Sequence, residues 1–193
     1  MTISLRTAVL VVALLNLGYF GIEFAVALNI RSVSLFADSV DFLEDTSVNL
    51  LIFFALAWSE KTRARIGMAM AAILLVPALA FLWSLWGKLA DPVPPEPFAL
   101  SVTGLGALVI NTGCAVLLAR FRSHGGSLTK AAFLSARNDA IANMAIIAAG
   151  LLTAYLWRSI WPDVIVGLGI AAMNLDAARE VWEAAHEEHE AQP

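Results

Sequence analysis

The chain has 193 residues, of which 60% are hydrophobic and 15% charged, and its formal net charge is −4. Soluble domains carry about 25% charged and about 45–50% apolar residues, so this composition excludes an ordinary soluble domain and indicates a membrane protein with several spans. With a single cysteine, the sequence also excludes a disulfide within the chain and a cysteine-based metal cluster.

Six apolar segments follow one another along the chain, each close to the length of about 20 residues that crosses a bilayer core. A charged loop at 59–65 and a proline-rich turn at 91–97 separate the middle segments, because proline cannot continue a helix. The predicted helices span 7–29, 33–58, 66–87, 98–120, 129–157 and 161–178. The sequence therefore predicts an all-α integral membrane fold, with a six-helix transmembrane domain over 1–178 and a short cytoplasmic tail over 179–193.

The loops between these helices differ in their content of lysine and arginine. One set of loops holds Arg6, Lys61, Arg63, Arg65, Arg120, Arg122, Lys130 and Arg179, and the other holds Arg31, Lys88 and Arg158. Because basic loops stay on the cytoplasmic side, both termini are predicted to be cytoplasmic. We expect a multi-pass protein of the bacterial inner membrane.

The second predicted helix carries four acids within ADSVDFLEDTSVN (37–49), where a membrane span would need apolar residues. With about 100° between successive residues, Asp38, Asp41, Asp45 and Asn49 fall within an arc of about 80° and form one polar stripe. An isolated charge in hydrocarbon costs several kcal/mol. The stripe is therefore expected to face a partner, a cavity or an ion.

A second polar stripe lies on the fifth predicted helix, in SARNDAIAN (135–143). Asp45 lies about 18 Å from the start of its helix, and Asp139 lies a similar distance from the start of its own, so both are near the bilayer midplane. Because the two helices are antiparallel, Asp41 should be level with Asp139, and Asp45 with Ser135. The sequence predicts a site whose corners are three carboxylates and a hydroxyl.

Neighbouring carboxylates cannot all stay ionised without a cation between them, because their like charges repel and burial disfavours the charged form. Protons neutralise such a group when no cation is present, and a metal ion that binds expels those protons. This linkage is the physical basis of metal/proton exchange.

The chain carries five motifs in a fixed order. They are NLGYFGIE (16–23), SVSLFADSVDFLED (32–45), KLADPVPPEP (88–97), SLTKAAFLSARNDAIANMAII (127–147) and WPDVIVGLGIAA (161–172). Their order and spacing resemble those of the cation diffusion facilitator (cation efflux) family over nearly all of residues 10–178.

The resemblance implies a divalent metal efflux transporter that acts as a metal/proton antiporter and is not an enzyme. Zinc is the family's commonest cargo, and Mn²⁺, Fe²⁺, Co²⁺ and Cd²⁺ are the other candidates; no cofactor is expected beside the metal substrate. The partners implied are membrane lipids, protons as the counter-ion and a second copy of the chain, with no nucleic acid. Small residues on the third predicted helix would allow close contact in such a homodimer: Gly67, Ala69, Ala71 and Ala72.

Carried over residue by residue, the transport site consists of Asp41, Asp45, Ser135 and Asp139. The chain departs from the family pattern at two of these positions. Residue 41 is aspartate, which some branches of the family share, and residue 135 is serine, where histidine or aspartate is usual. The chain also lacks the family's cytoplasmic metal-binding domain, so we interpret it as a short form. Oxygen-only corners favour Mn²⁺, Fe²⁺ or Co²⁺ more than a histidine site does, although carboxylates also bind Zn²⁺ well.

Neighbouring polar residues leave alternatives open. Ser135 is either a ligand or a hydroxyl bonded to its own backbone, and Asn138 is the other candidate for the fourth corner. Asn143 either extends the site outward, level with Asp38, or makes an interhelical hydrogen bond. Asp38 and Glu23 are predicted to line a proton or ion path, with capping of a helix start as the alternative for Asp38.

Two further groups of charges need an explanation. Glu44 and Arg137 are predicted to form an ion pair beside the site, because each alone would be costly in the bilayer; the alternative is that Arg137 reaches the headgroups and Glu44 lines a cavity. The tail residues His186, Glu187, His189 and Glu190 either attract cations weakly or form a solvated helix end.

Two other functions compete with transport. A short form without the cytoplasmic domain could be a non-transporting membrane partner of a full-length relative. Asp45 and Asp139 could also form the shared-proton dyad of an intramembrane aspartyl protease. However, the GxGD motif expected around one aspartate of such a protease is absent, and a third aspartate has no role in a dyad.

Overall fold

The computed structural model describes the backbone of residues 3–55, 79–121 and 126–190, and the side chains of 3–54, 79–121, 132–133 and 135–175. All regular secondary structure in these residues is α-helical. The helices are α1 (Leu5–Ile30), α2 (Val33–Ala55), α3 (Leu79–Ala90), α4 (Pro97–Ala119), α5 (Gly126–Tyr155) and α6 (Trp161–Glu190). The predicted all-α fold is confirmed for this part of the chain.

Most helix boundaries lie within three residues of those predicted, because local chemistry sets them. Ser4 caps α1 by accepting a hydrogen bond from the Thr7 backbone N–H, and Arg31 ends the helix in the left-handed region at φ 52°. Glu96 caps α4, and Pro97 occupies its first position, where the missing N–H is no loss. The clearest difference is α6, which continues to Glu190, beyond the predicted end at 178.

Two of the described helices, α1 and α4, are long and apolar enough to cross a membrane by length and composition. The described part of α3 and the segment Trp161–Leu175 of α6 are shorter apolar helices. α2 is long enough but carries its four acids near its middle. The predicted orientation of the termini stays a prediction, and Gly67, Ala69, Ala71 and Ala72 lie outside the described residues.

The acid-bearing helix α2 lies at the centre of the bundle. It packs along α1 and also contacts α5, α6 and α4, while α4 packs along α5. One apolar cluster, which includes Leu35, Ile146 and Val164, lies towards the α1–α2 turn, and a second, which includes Val12 and Leu118, lies towards the other end. The polar residues in the middle of α2 and α5 are therefore enclosed between two apolar layers.

The Asp163 carboxylate, in the first turn of α6, holds the start of α2. Its Oδ1 accepts hydrogen bonds from the hydroxyls of Ser32 and Ser34, both at 2.6 Å, and from the Ser34 N–H at 3.0 Å. Its Oδ2 accepts from the Val33 N–H at 2.8 Å and lies 3.8 Å from Lys88 Nζ in α3. Asp163 is completely buried, so these donors replace the water it loses.

The same contact brings the backbones of α2 and α6 together at Gly167. A Cβ at this position would lie 2.9 Å from the Ser34 nitrogen and 2.9 Å from the Val33 carbonyl carbon. Because both of these are backbone atoms, neither can rotate away. A glycine is therefore required at this point of closest approach.

We predict that Asp163→Ala destabilises the protein by about 3–5 kcal/mol. The substitution leaves Lys88 buried without its counter-charge and removes the carboxylate that accepts four hydrogen bonds. The matched control is Asp91→Ala. Asp91 pairs with Arg31 at 2.7 Å, but both side chains are more than 60% exposed, so its loss should cost about 0–1 kcal/mol. Thermal unfolding in one detergent compares the two variants, and equal melting temperatures would contradict this role for Asp163.

Candidate metal centre

Asp45 is the residue at which four helices meet. Its Oδ1 accepts a hydrogen bond from the Ser135 hydroxyl of α5 at 3.0 Å, and its Oδ2 accepts from Asn16 Nδ2 of α1 at 3.4 Å. Asn16 Oδ1 in turn accepts a weak contact from the Cys114 thiol of α4 at 3.8 Å. Asp45 is 6% exposed and Asn16 fully buried, so the site lies inside the bundle.

The structure brings the two predicted stripes together. Asp139 is 8% exposed, and its carboxyl group lies within hydrogen-bonding reach of that of Asp45. Half-buried Asp41 lies within electrostatic reach of both Asp139 and Asp45. The hydrogen bond between Asp45 and Ser135 agrees with the predicted antiparallel register, in which these two residues are level.

The carboxylates are neighbours but do not form a closed ligand shell. In the described part of the chain, no group of three or more His, Cys, Asp or Glu side chains is close enough together to hold a metal ion as it stands. Like charges repel when no cation joins them. Binding an ion at Asp41, Asp45 and Asp139 therefore requires these side chains to move towards one another.

The candidates for the fourth corner differ in their surroundings. Ser135 touches Asp45 directly, whereas the amide oxygen of half-buried Asn138 accepts a hydrogen bond from Arg137 at 3.3 Å. Asn143 is fully buried, and its Nδ2 donates to the Asp139 backbone carbonyl at 2.6 Å, within its own helix. Ser135 is therefore the better placed of the alternatives beside Asp45.

The structure shows no ion pair between Glu44 and Arg137, since both ion pairs among the described residues join other side chains. Arg137 is exposed and donates to Asn138. It precedes Asp139 by two residues, which places it about 200° around the helix and away from the face that meets α2. Glu44 instead lies within electrostatic reach of Asp41 and Asp139.

Asp38 and Glu23 lie nearer the α1–α2 turn than Asp41 and Asp45, and both are fully buried. The capping role considered for Asp38 is wrong, because α2 begins at Val33, five residues earlier. The backbone N–H groups of its first turn donate instead to Asp163 and Ser32. The tail side chains His186, Glu187, His189 and Glu190 lie outside those that the structure describes.

Asn16 and Cys114 also lie beside the site, which was not predicted from the sequence. Asn16 had a usable signal, because it precedes Glu23 by seven residues and so lies on the same face of α1. Cys114, the single cysteine of the chain, is completely buried. Nothing in the local sequence of α4 indicates that its thiol faces the amide of Asn16.

The chain matches one family model, described as the cation efflux transmembrane domain, over residues 9–186. A search of curated proteins finds no match.

Proposed function

Because the chain belongs to the cation efflux family, we propose that it exchanges a divalent metal cation for protons across a membrane. Family membership itself makes the chain a membrane protein of a family that transports divalent cations. The five motifs and their spacing had indicated the same family. The exchange mechanism, the binding residues and the cargo are the further content of the proposal.

One observation carries the proposed site. Asp41, Asp45 and Asp139 lie within electrostatic reach of one another in the middle of the bundle, and in the described residues none of them has a lysine or arginine partner. The ion pairs of this part of the chain lie instead at the α1–α2 turn. Buried charges need a counter-charge, so these carboxylates favour a cation supplied from solution.

The proposed cycle follows from charge balance. A divalent cation binds at Asp41, Asp45 and Asp139 and displaces the protons that neutralise them, since metal ligands must be deprotonated. When the cation leaves, protons return because adjacent carboxylates cannot all remain ionised in a buried site. The Ser135 hydroxyl and the Asn16 amide, which both donate to Asp45 in this structure, orient its two oxygens.

The proposed cargo is a first-row divalent cation, with zinc as the leading candidate. The ligands offered are carboxylate and hydroxyl oxygens, with no imidazole among the described side chains around Asp45. Such a set suits Mn²⁺, Fe²⁺ and Co²⁺, and carboxylates also bind Zn²⁺. Calorimetry of the purified protein with each of these ions, and with Cd²⁺, would rank them.

A homodimer within the membrane is also part of the proposal. Many large apolar side chains are exposed on the described surface, among them Trp83, Trp86 and Phe98. Lipid covers such a surface, and a second copy would cover part of it. We predict a dimer when the mass of the protein is measured in mild detergent, and a transport-competent monomer would contradict it.

We predict that Asp45→Ala and Asp139→Ala each reduce metal flux into proteoliposomes by more than about 100-fold, because a ligand is lost. Ser135→Ala should reduce it by about 10-fold, since all three carboxylates and the Asn16 contact remain. Asp91→Ala, which removes an exposed acid, is the control and should transport normally. Undiminished flux in either aspartate variant would refute the site.

The same assay separates the competing functions. Uptake driven by a pH gradient supports exchange. Absence of flux from well-folded wild-type protein would favour the non-transporting partner, and peptide cleavage without flux would favour the protease.

We predict that Ser135→His raises the preference for Zn²⁺ over Mn²⁺ by about 10-fold or more, because imidazole is a better ligand for zinc than for manganese. Asn138→His is the matched control at the neighbouring position. If Asn138→His shifts the preference and Ser135→His does not, then Asn138 is the fourth corner.

A further inference from the structure

The protein contains fully buried carboxylates of two opposite kinds. Asp163 receives four hydrogen bonds and lies beside a lysine. Glu23 and Asp38 are equally buried, at 0% exposure, but none of their four carboxylate oxygens has a hydrogen-bond partner among the described residues. A buried carboxylate without a donor carries its full desolvation cost. Glu23 and Asp38 therefore require something that the described residues do not supply.

These two carboxyl groups face each other. Glu23 comes from α1 and Asp38 from α2, and the two groups lie within hydrogen-bonding reach of one another, with Asp41 close enough to interact with both. Tyr19, one turn before Glu23, does not serve them, because its hydroxyl donates to the Thr103 carbonyl at 2.6 Å. Two carboxylates this close together need a shared proton or a cation between them.

The kind of atom left unpaired identifies the class of the missing group. All seven buried side-chain atoms without a partner in the described residues are oxygens, and none is a nitrogen. The other three are the amide oxygens of Asn49, Asn111 and Asn143. Buried polar atoms are normally paired. Because all of these unpaired atoms are hydrogen-bond acceptors, the groups that would pair them are cations or protons.

We infer that Glu23 and Asp38 form a second binding position for a divalent cation, separate from Asp45 and Ser135. The inference rests on the proposed transport function and extends it. One divalent cation neutralises both carboxylates and can coordinate all four of their oxygens. A single shared proton, in contrast, pairs only two of the oxygens. Oxygen ligands of this kind suit the same first-row divalent cations as the main site.

The position lies on the way from the main site to the α1–α2 turn. Asp38 is about 7–8 Å from the start of α2 and Asp45 about 18 Å, at 1.5 Å per residue. Asp41 lies between them on the same stripe. A cation leaving Asp45 in this direction passes from one set of carboxylates to the next without entering hydrocarbon unpaired.

Mn²⁺ binding to the full-length protein in detergent, counted by equilibrium dialysis, tests the second position. The wild type should bind about two Mn²⁺ per chain, and Asp45→Asn combined with Asp139→Asn should retain about one, since neutral amides weaken only the main site. Glu23→Gln combined with Asp38→Asn should also retain about one, and the quadruple variant none beyond background. Asp91→Asn with Glu96→Gln removes the same charge from exposed positions and should leave the count unchanged.

The double variant at the main site decides the outcome. If Asp45→Asn with Asp139→Asn binds no more Mn²⁺ than the quadruple variant, the second position is overturned. The proposed transport site still stands in that case, provided that the wild type binds one ion. Should Glu23→Gln with Asp38→Asn misfold by gel filtration or circular dichroism, Glu23→Gln alone is used. If that single variant keeps the full wild-type count and affinity, the inference is equally overturned.

Discussion

A carboxylate buried in an apolar bundle must be given hydrogen-bond donors or a counter-charge, and this constraint organises the whole molecule. α2 carries its acids into the interior because α1, α4, α5 and α6 all pack around it. Where the chain supplies donors, as at Asp163, the acid becomes a fixed structural contact. Where the described residues supply few hydrogen-bond donors or none, as along the Asp38–Asp45 stripe, the acids remain available to an ion.

The structural contact at Asp163 helps to position the acid stripe of α2. Asp163 fixes the start of α2 against α6, and Gly167 brings the two backbones close at the same place. The acids one to three turns further along α2 are held in register against α5 by packing from the apolar layers on either side. A fixed helix start beside a charged helix middle is what a cation site needs, because ligands must be presented on well-positioned helices to bind selectively.

Helix periodicity was enough to predict much of the site from the sequence. The contact between Asp45 and Ser135, and the closeness of Asp139, follow from two facts: residues three or four apart share a face, and antiparallel helices can be matched by depth. The same reasoning failed for Glu44 and Arg137. Similar depth brings two residues together only if they also share the facing side, and Arg137 lies on the opposite side of α5.

The sequence by itself determined the helical membrane fold, the family and the stripe of acids, because hydropathy and periodicity are local properties of the chain. Only the tertiary structure decided which acids are satisfied. Asp163 is one first-turn acid in the sequence, yet its hydrogen-bond donors lie about 130 residues away at Ser32–Ser34. Glu23 and Asp38 look no different in the sequence, yet they have no donor among the residues that the structure describes. Hydrogen bonding between remote helices depends on their packing in three dimensions, and no local pattern encodes it.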